Sequence, residues 1–83
     1  MGSGKPIYLR TAREACGLTQ EQLERLSGIA QNTISRLEAD RKARPVFTTV
    51  VRLAQALGVD PLQLRFGPDP RRRPGSRQKV QVA

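Results

Sequence analysis

Between positions 31 and 36 the chain carries five hydrogen-bonding side chains, Gln31, Asn32, Thr33, Ser35 and Arg36, interrupted only by Ile34. The amides of Gln31 and Asn32 each pair a donor with an acceptor, which suits a flat partner edge such as N6 and N7 of adenine. The guanidinium of Arg36 suits two neighbouring acceptors, on guanine or on a phosphate. On a helix, positions 31, 32, 35 and 36 share a face roughly opposite Ile34 and Leu37. Just downstream, Arg41, Lys42 and Arg44 put three cations into four residues, a density that favours an anionic partner. A solvated helix face and a loose cationic loop are the competing accounts of these two groups.

Positioning such a face takes more than one helix. Leu23 and Leu26 lie three apart, as do Ile34 and Leu37, with Ile29 between the pairs. This spacing predicts two short helices, over residues 20–27 and 31–39, whose apolar stripes close on a shared core. Thr19 with Gln22 three residues on is the pattern of a capping box at the start of the first of them. Gly28 falls where the chain must reverse, and glycine enters the left-handed region without steric cost. Ala30, at the expected start of the second helix, has no side-chain oxygen, so that end is weakly capped from within. Donors left there can meet a phosphate or remain simply unsupported. Helix, glycine turn, helix is the outline of a helix-turn-helix unit.

The flanking chain supplies the remaining core. Leu9, Ala12 and Cys16 fall at i, i+3 and i+7 and predict a first helix over residues 7–16, with Cys16 half-buried. Pro45 ends the cationic loop and opens a helix over residues 47–57. There Val50, Leu53, Ala54 and Leu57 make the clearest amphipathic pattern of the chain. Asp60 before Pro61 predicts a short fifth helix through Leu64. Val59, Leu62, Leu64 and Phe66 then offer either a self-association surface or further core, the latter expected for Leu62. From Gly67 the composition shifts to Pro, Gly and Arg, with five basic residues and one acidic, a net +4. Such a segment has almost nothing to bury and is expected to be a disordered basic tail. The organisation expected is a flexible stretch 1–6, an all-α domain 7–66 and a tail 67–83.

Composition narrows the function classes. Fifteen Lys and Arg against seven Asp and Glu give +8 over 83 residues, a balance that favours a polyanion. Aromatic residues are few, and Tyr8, Phe47 and Phe66 are scattered, which disfavours single-stranded RNA read by stacking. There is no His, and the single Cys16 cannot form an internal disulfide. Glu21 and Glu24, three apart, are expected to be a solvated pair, so neither an enzyme nor a metal or other cofactor is expected. No apolar run approaches the length of a membrane span, and the N-terminus has no signal-peptide core. These features predict a cytoplasmic protein without membrane partners.

Four stretches, GLTQEQL at 17–23, SGI at 27–29, NTISRLE at 32–38 and LAQALGVDP at 53–61, together resemble the phage repressor and Cro family, also called Xre-type regulators. The likeness runs from Leu9 to Phe66. It implies a five-helix lambda-repressor-like fold and a sequence-specific transcriptional regulator, a repressor in the first instance. Such a protein binds double-stranded DNA as a homodimer with its third helix in the major groove. It further implies that Gln20 touches a phosphate and braces the start of the third helix. Gln31, Asn32, Thr33, Ser35 and Arg36 would face bases or phosphates, Arg41, Lys42 and Arg44 would approach the DNA backbone, and Arg13 would pair with Glu38. A protein-binding adaptor or antitoxin module, with a protein partner, is the alternative use of the same fold. Three positions depart from the family pattern. Glu24 stands where a small residue is usual, so that either its stem lies along the groove with the carboxylate reaching water or Arg36, or the helix crossing is shifted. Asp40 replaces a glycine and can still adopt the left-handed conformation at a modest cost, and Ala30 replaces a capping hydroxyl.

Overall fold

The computed structural model describes residues 5–70. In chain order these are strand β1 (Ile7–Tyr8), helices α1 (Leu9–Ala15), α2 (Gln20–Ser27), α3 (Gln31–Ala39) and α4 (Phe47–Leu57), a 3-10 turn (Pro61–Gln63) and strand β2 (Leu64–Arg65). The five-helix expectation is thus corrected to four α-helices and one 3-10 turn. Asp60 does cap that turn, its Oδ1 accepting from the Leu62 amide at 2.9 Å. The turn is short because the chain passes at once into β2.

β1 and β2 pair in parallel, Ile7 with Leu64 and Tyr8 with Arg65. The first helix therefore starts at Leu9, two residues later than its periodicity predicts. Ile7 and Tyr8 are extended because both residue types suit a strand and a partner strand is on hand. Ala15 closes α1, so Cys16 follows as the capping residue. It is exposed rather than half-buried, its Sγ 3.6 Å from the Leu57 carbonyl oxygen.

The core draws on every helix and on β2: Leu9 and Ala12, Leu23, Ile34 and Leu37, Leu53, Ala54 and Leu57, and Leu64. Leu9, Leu23, Ile34 and Leu53 are the largest side chains shut off from solvent, each worth about 1.5–3 kcal/mol of apolar burial. Leu26 is not among them and is 61 % exposed. On α2 the inward neighbour of Leu23 is Ser27, four residues on, and Leu26 is rotated off that line. Ser27 is buried without penalty because its Oγ donates to the Leu23 carbonyl at 2.7 Å and accepts from the Ile29 amide at 3.1 Å.

α2 starts and stops as its residues dictate. Thr19 Oγ1 accepts from the Gln22 amide, and Gln22 Oε1 accepts from the Thr19 amide, completing the capping box. Gly28 ends the helix at φ 78°, in the left-handed region, its amide donating to the Glu24 carbonyl. α3 begins at Gln31, and Ala30 before it offers no side-chain cap. α4 begins at Phe47 after an extended Val46, so Pro45 lies just ahead of the helix rather than in its first turn.

Candidate functional site

The second helix of the bihelical unit turns one side inward and leaves the other open. Ile34, Leu37 and Glu38 are buried, whereas Gln31, Asn32, Thr33, Ser35 and Arg36 are all exposed. Among the described residues none of these five exposed side chains is engaged in a hydrogen bond or ion pair. Their donors and acceptors are available to a partner, which a face locked into intramolecular bonds would not be.

The inward side is held by a charged knot. Arg13 on α1 donates to Glu38 twice, from Nε to Oε2 at 2.6 Å and from Nη2 to Oε1 at 3.0 Å. Its Nη1 donates to the Leu18 carbonyl at 2.7 Å. Gln20 Nε2, at the start of α2, completes the set with a 3.0 Å bond to Glu38 Oε1. Side-chain exposure is 11 % for Arg13 and 5 % for Glu38, so water screens this pair far less than a surface pair. The hydrogen bonds to Glu38 make the Arg13 guanidinium more basic than usual, with burial acting against them. Three helices thus meet on one carboxylate, and α3 is fixed in position by it. Gln20 braces the last turn of α3, not its start as expected, because the two helices run so that the beginning of α2 lies beside the end of α3.

Arg41, Lys42 and Arg44 are exposed on the loop that follows. Asp40 shapes this loop without taking up the left-handed conformation open to it. Its φ is −101°, and its Oδ1 accepts from the Lys42 amide at 2.8 Å while its carbonyl accepts from the Ala43 amide at 3.0 Å. The acceptor side chain does here what a glycine does by torsional freedom. Among the described residues Arg36, Arg41, Lys42 and Arg44 make no ion pair, while Arg10 pairs with Glu14 and Arg25 with Glu21. Glu24 forms no pair with Arg36. Four cations on α3 and the loop behind it are thus uncompensated by ion pairs among the described residues.

Two hydrogen bonds go beyond anything the sequence leads one to expect. The Gly67 amide donates to the Leu37 carbonyl at 2.7 Å, and Thr11 Oγ1 donates to Asp69 Oδ2 at 3.0 Å. Gly67 is buried, so the chain still belongs to the domain at the point where a tail is expected to begin. The rest of that tail, residues 71–83, and residues 1–4 of the N-terminal stretch lie outside the described residues. No local signal announces these bonds, whose partners are tens of positions away. Leu62 also differs from expectation: it is 70 % exposed, whereas Leu64 is core.

A helix-turn-helix family profile matches residues 9–64, a span covering α1 through the 3-10 turn. The chain belongs to the Xre-type helix-turn-helix family. This helix-turn-helix chain is 46 % identical over 57 residues to y4dJ, an uncharacterized HTH-type transcriptional regulator of Sinorhizobium fredii. The match covers 69 % of this chain and 71 % of that one. No solved structure matches the helix-turn-helix chain significantly. Among its described residues no helix is long and apolar enough to cross a membrane, and no group of three or more His, Cys, Asp or Glu could hold a metal ion.

Proposed function

We propose that this protein is a sequence-specific regulator of transcription, a repressor, that binds double-stranded DNA by laying α3 in the major groove. The observation that carries the reading is the exposed and uncommitted polar face of α3 in a helix-turn-helix chain. Gln31 and Asn32 read base edges, adenine N6 and N7 being the partners their amides fit best. Arg36 takes guanine or a phosphate, and Thr33 and Ser35 add shorter contacts. Gln20, with one amide proton spent on Glu38, keeps a second for a phosphate. Arg41, Lys42 and Arg44 bind the backbone, which adds affinity without sequence preference.

Two copies acting together would place their α3 helices in successive major grooves about 34 Å apart, on a palindromic site. The exposed Leu62 supports such pairing. A domain that occupies its site in this way acts by excluding other proteins from it.

Selection of bound fragments from random duplex DNA tests the reading. An enriched palindrome is the expected result, and retention of duplexes with neither enrichment nor salt dependence would sink it. The exposed Val46 and Phe47 at the start of α4 favour a second reading, an adaptor that docks a protein. An adaptor would give no salt-dependent DNA titration at all.

A further inference from the structure

The segment that follows β2 crosses the foot of α3. Leu37 lies in the last turn of that helix, where carbonyls have no amide of their own helix to accept from. Arg36 is served by the adjacent Asp40 amide, but Leu37 is served by Gly67, thirty positions on, at 2.7 Å. Gly67 sits at φ +91°, and a Cβ placed on it would meet the Arg41 backbone, with Cα at 2.6 Å and N at 3.2 Å, and Arg41 Cβ at 3.0 Å. Phe66, one residue before, packs against the core. Two residues after, Asp69 is tied to Thr11 on α1.

We propose that Gly67 is a positioning residue for DNA binding: it clasps the end of α3 and the first residue of the cationic loop at a fixed separation. The proposal rests on the DNA-binding reading above. Its cause is steric and polar at once. The amide of Gly67 holds the Leu37 carbonyl, while the missing side chain lets the Arg41 backbone lie against it. A side chain at position 67 cannot keep both in place. It must either release the helix end or push Arg41 outward, and Lys42 and Arg44 follow Arg41 because Asp40 ties the loop together.

The test compares Gly67→Ala with Gly58→Ala in the full chain. Gly58 is also left-handed, at φ +73°, but a Cβ there meets nothing within 4 Å, so it reproduces the backbone strain without the collision. Freeing a single DNA phosphate from its cation lowers the slope of log K against log salt by about 0.9, which is about eightfold in affinity at 0.1 M salt relative to 1 M. The folded Gly67→Ala protein should show a slope lower by about 1–2 on specific and non-specific duplexes alike. Its backbone amides at 40–44 should also exchange faster with solvent. Gly58→Ala should bind with the wild-type slope and show unchanged exchange at 40–44.

Equal slopes and equal exchange in the two variants would overturn the proposal. Should Gly67→Ala not fold, Thr11→Val decides, because it removes one tie of the segment after Gly67 and leaves Gly67 itself untouched. A smaller drop in slope with faster exchange at 40–44 supports the clasp, and wild-type behaviour in both overturns it. Failure of the wild-type chain to bind any duplex in a salt-dependent way is a different result. It removes the DNA-binding reading, and with it the clasp's role in binding, whatever the exchange rates are.

Discussion

Replacing Glu38 by Ala strands three donors at once: Nε and Nη2 of Arg13 and Nε2 of Gln20. On the surface such a change costs about 0–1 kcal/mol. For a buried pair deprived of one partner it is about 3–5 kcal/mol, because the remaining charge keeps its desolvation penalty without compensation. Side-chain exposures of 11 % and 5 % place this pair in the second class. The Nη1 bond to the Leu18 carbonyl survives, which argues for the lower end, about 3 kcal/mol. A domain of this size has about 3–9 kcal/mol in total, at roughly 0.05–0.15 kcal/mol per residue. Glu38→Ala should therefore remove between about a third and all of the domain's stability.

Urea titration followed by circular dichroism gives the number directly. Arg13→Leu combined with Glu38→Leu should recover more than half of the stability, since an apolar pair carries no stranded charge. The pH dependence has a definite sign as well. Glu38 raises the Arg13 pKa, so the Arg13 contribution is complete below arginine's ordinary pKa and is lost only as pH climbs through the raised one. The gap in stability between wild type and Arg13→Ala should thus be the same at about pH 7 and about pH 10. A Glu38→Ala protein within about 1 kcal/mol of wild type, or a gap that closes over this pH range, would refute the buried-knot argument.

Other expectations concern binding. Gln31→Ala and Asn32→Ala should each weaken binding to a selected duplex by about 1–3 kcal/mol and relax preference at one base position; competition against point-mutated duplexes measures both, and urea midpoints should barely move. Leu62→Asp should leave monomer stability within about 0.5 kcal/mol, as for an exposed site, yet abolish two-copy occupancy of a palindrome in sedimentation or mobility-shift experiments. Changing Arg71, Arg72 and Arg73 together to Gln should lower affinity equally on all duplexes and reduce the salt slope; an unchanged slope would mean that these arginines touch no phosphate.

The parts of this fold that sequence predicts well are those whose causes are local. Thr19 and Gln22 cap each other across three residues, Gly28 and Gly58 supply left-handed turns, and the apolar spacing of α4 runs unbroken, so α2, α3 and α4 are legible to the residue. The open face of α3 is legible for the same reason, because Ile34 and Leu37 fix which side points inward. What sequence misses depends on partners brought in from afar. Ile7 and Tyr8 look helical until Leu64 and Arg65 are beside them. Leu26 matches the apolar pattern, but Ser27 takes the inward place. Gln20 meets the end of α3 rather than its beginning because helix direction is a tertiary property. The loop at Asp40 is a case of one residue type replacing another by a different mechanism, a side-chain acceptor in place of a positive φ.

The two-residue parallel ladder carries a consequence for the order of assembly. Its strands lie at opposite ends of the described chain, and the Thr11–Asp69 bond beyond it spans 58 positions. Closing so long a loop costs about 2 kcal/mol more than closing one of four or five residues, at about 0.6 kcal/mol per doubling. Neighbouring helices meet first, and the ladder zips shut over a nucleus that already exists. On the ribosome, β1 must wait unpaired until β2 has emerged, so the N-terminal strand becomes protected only when nearly the whole domain has been synthesised. Pulse-labelled hydrogen exchange during refolding should find the Arg65 amide shielded later than the Leu64 amide, which the local turn already ties to the Pro61 carbonyl.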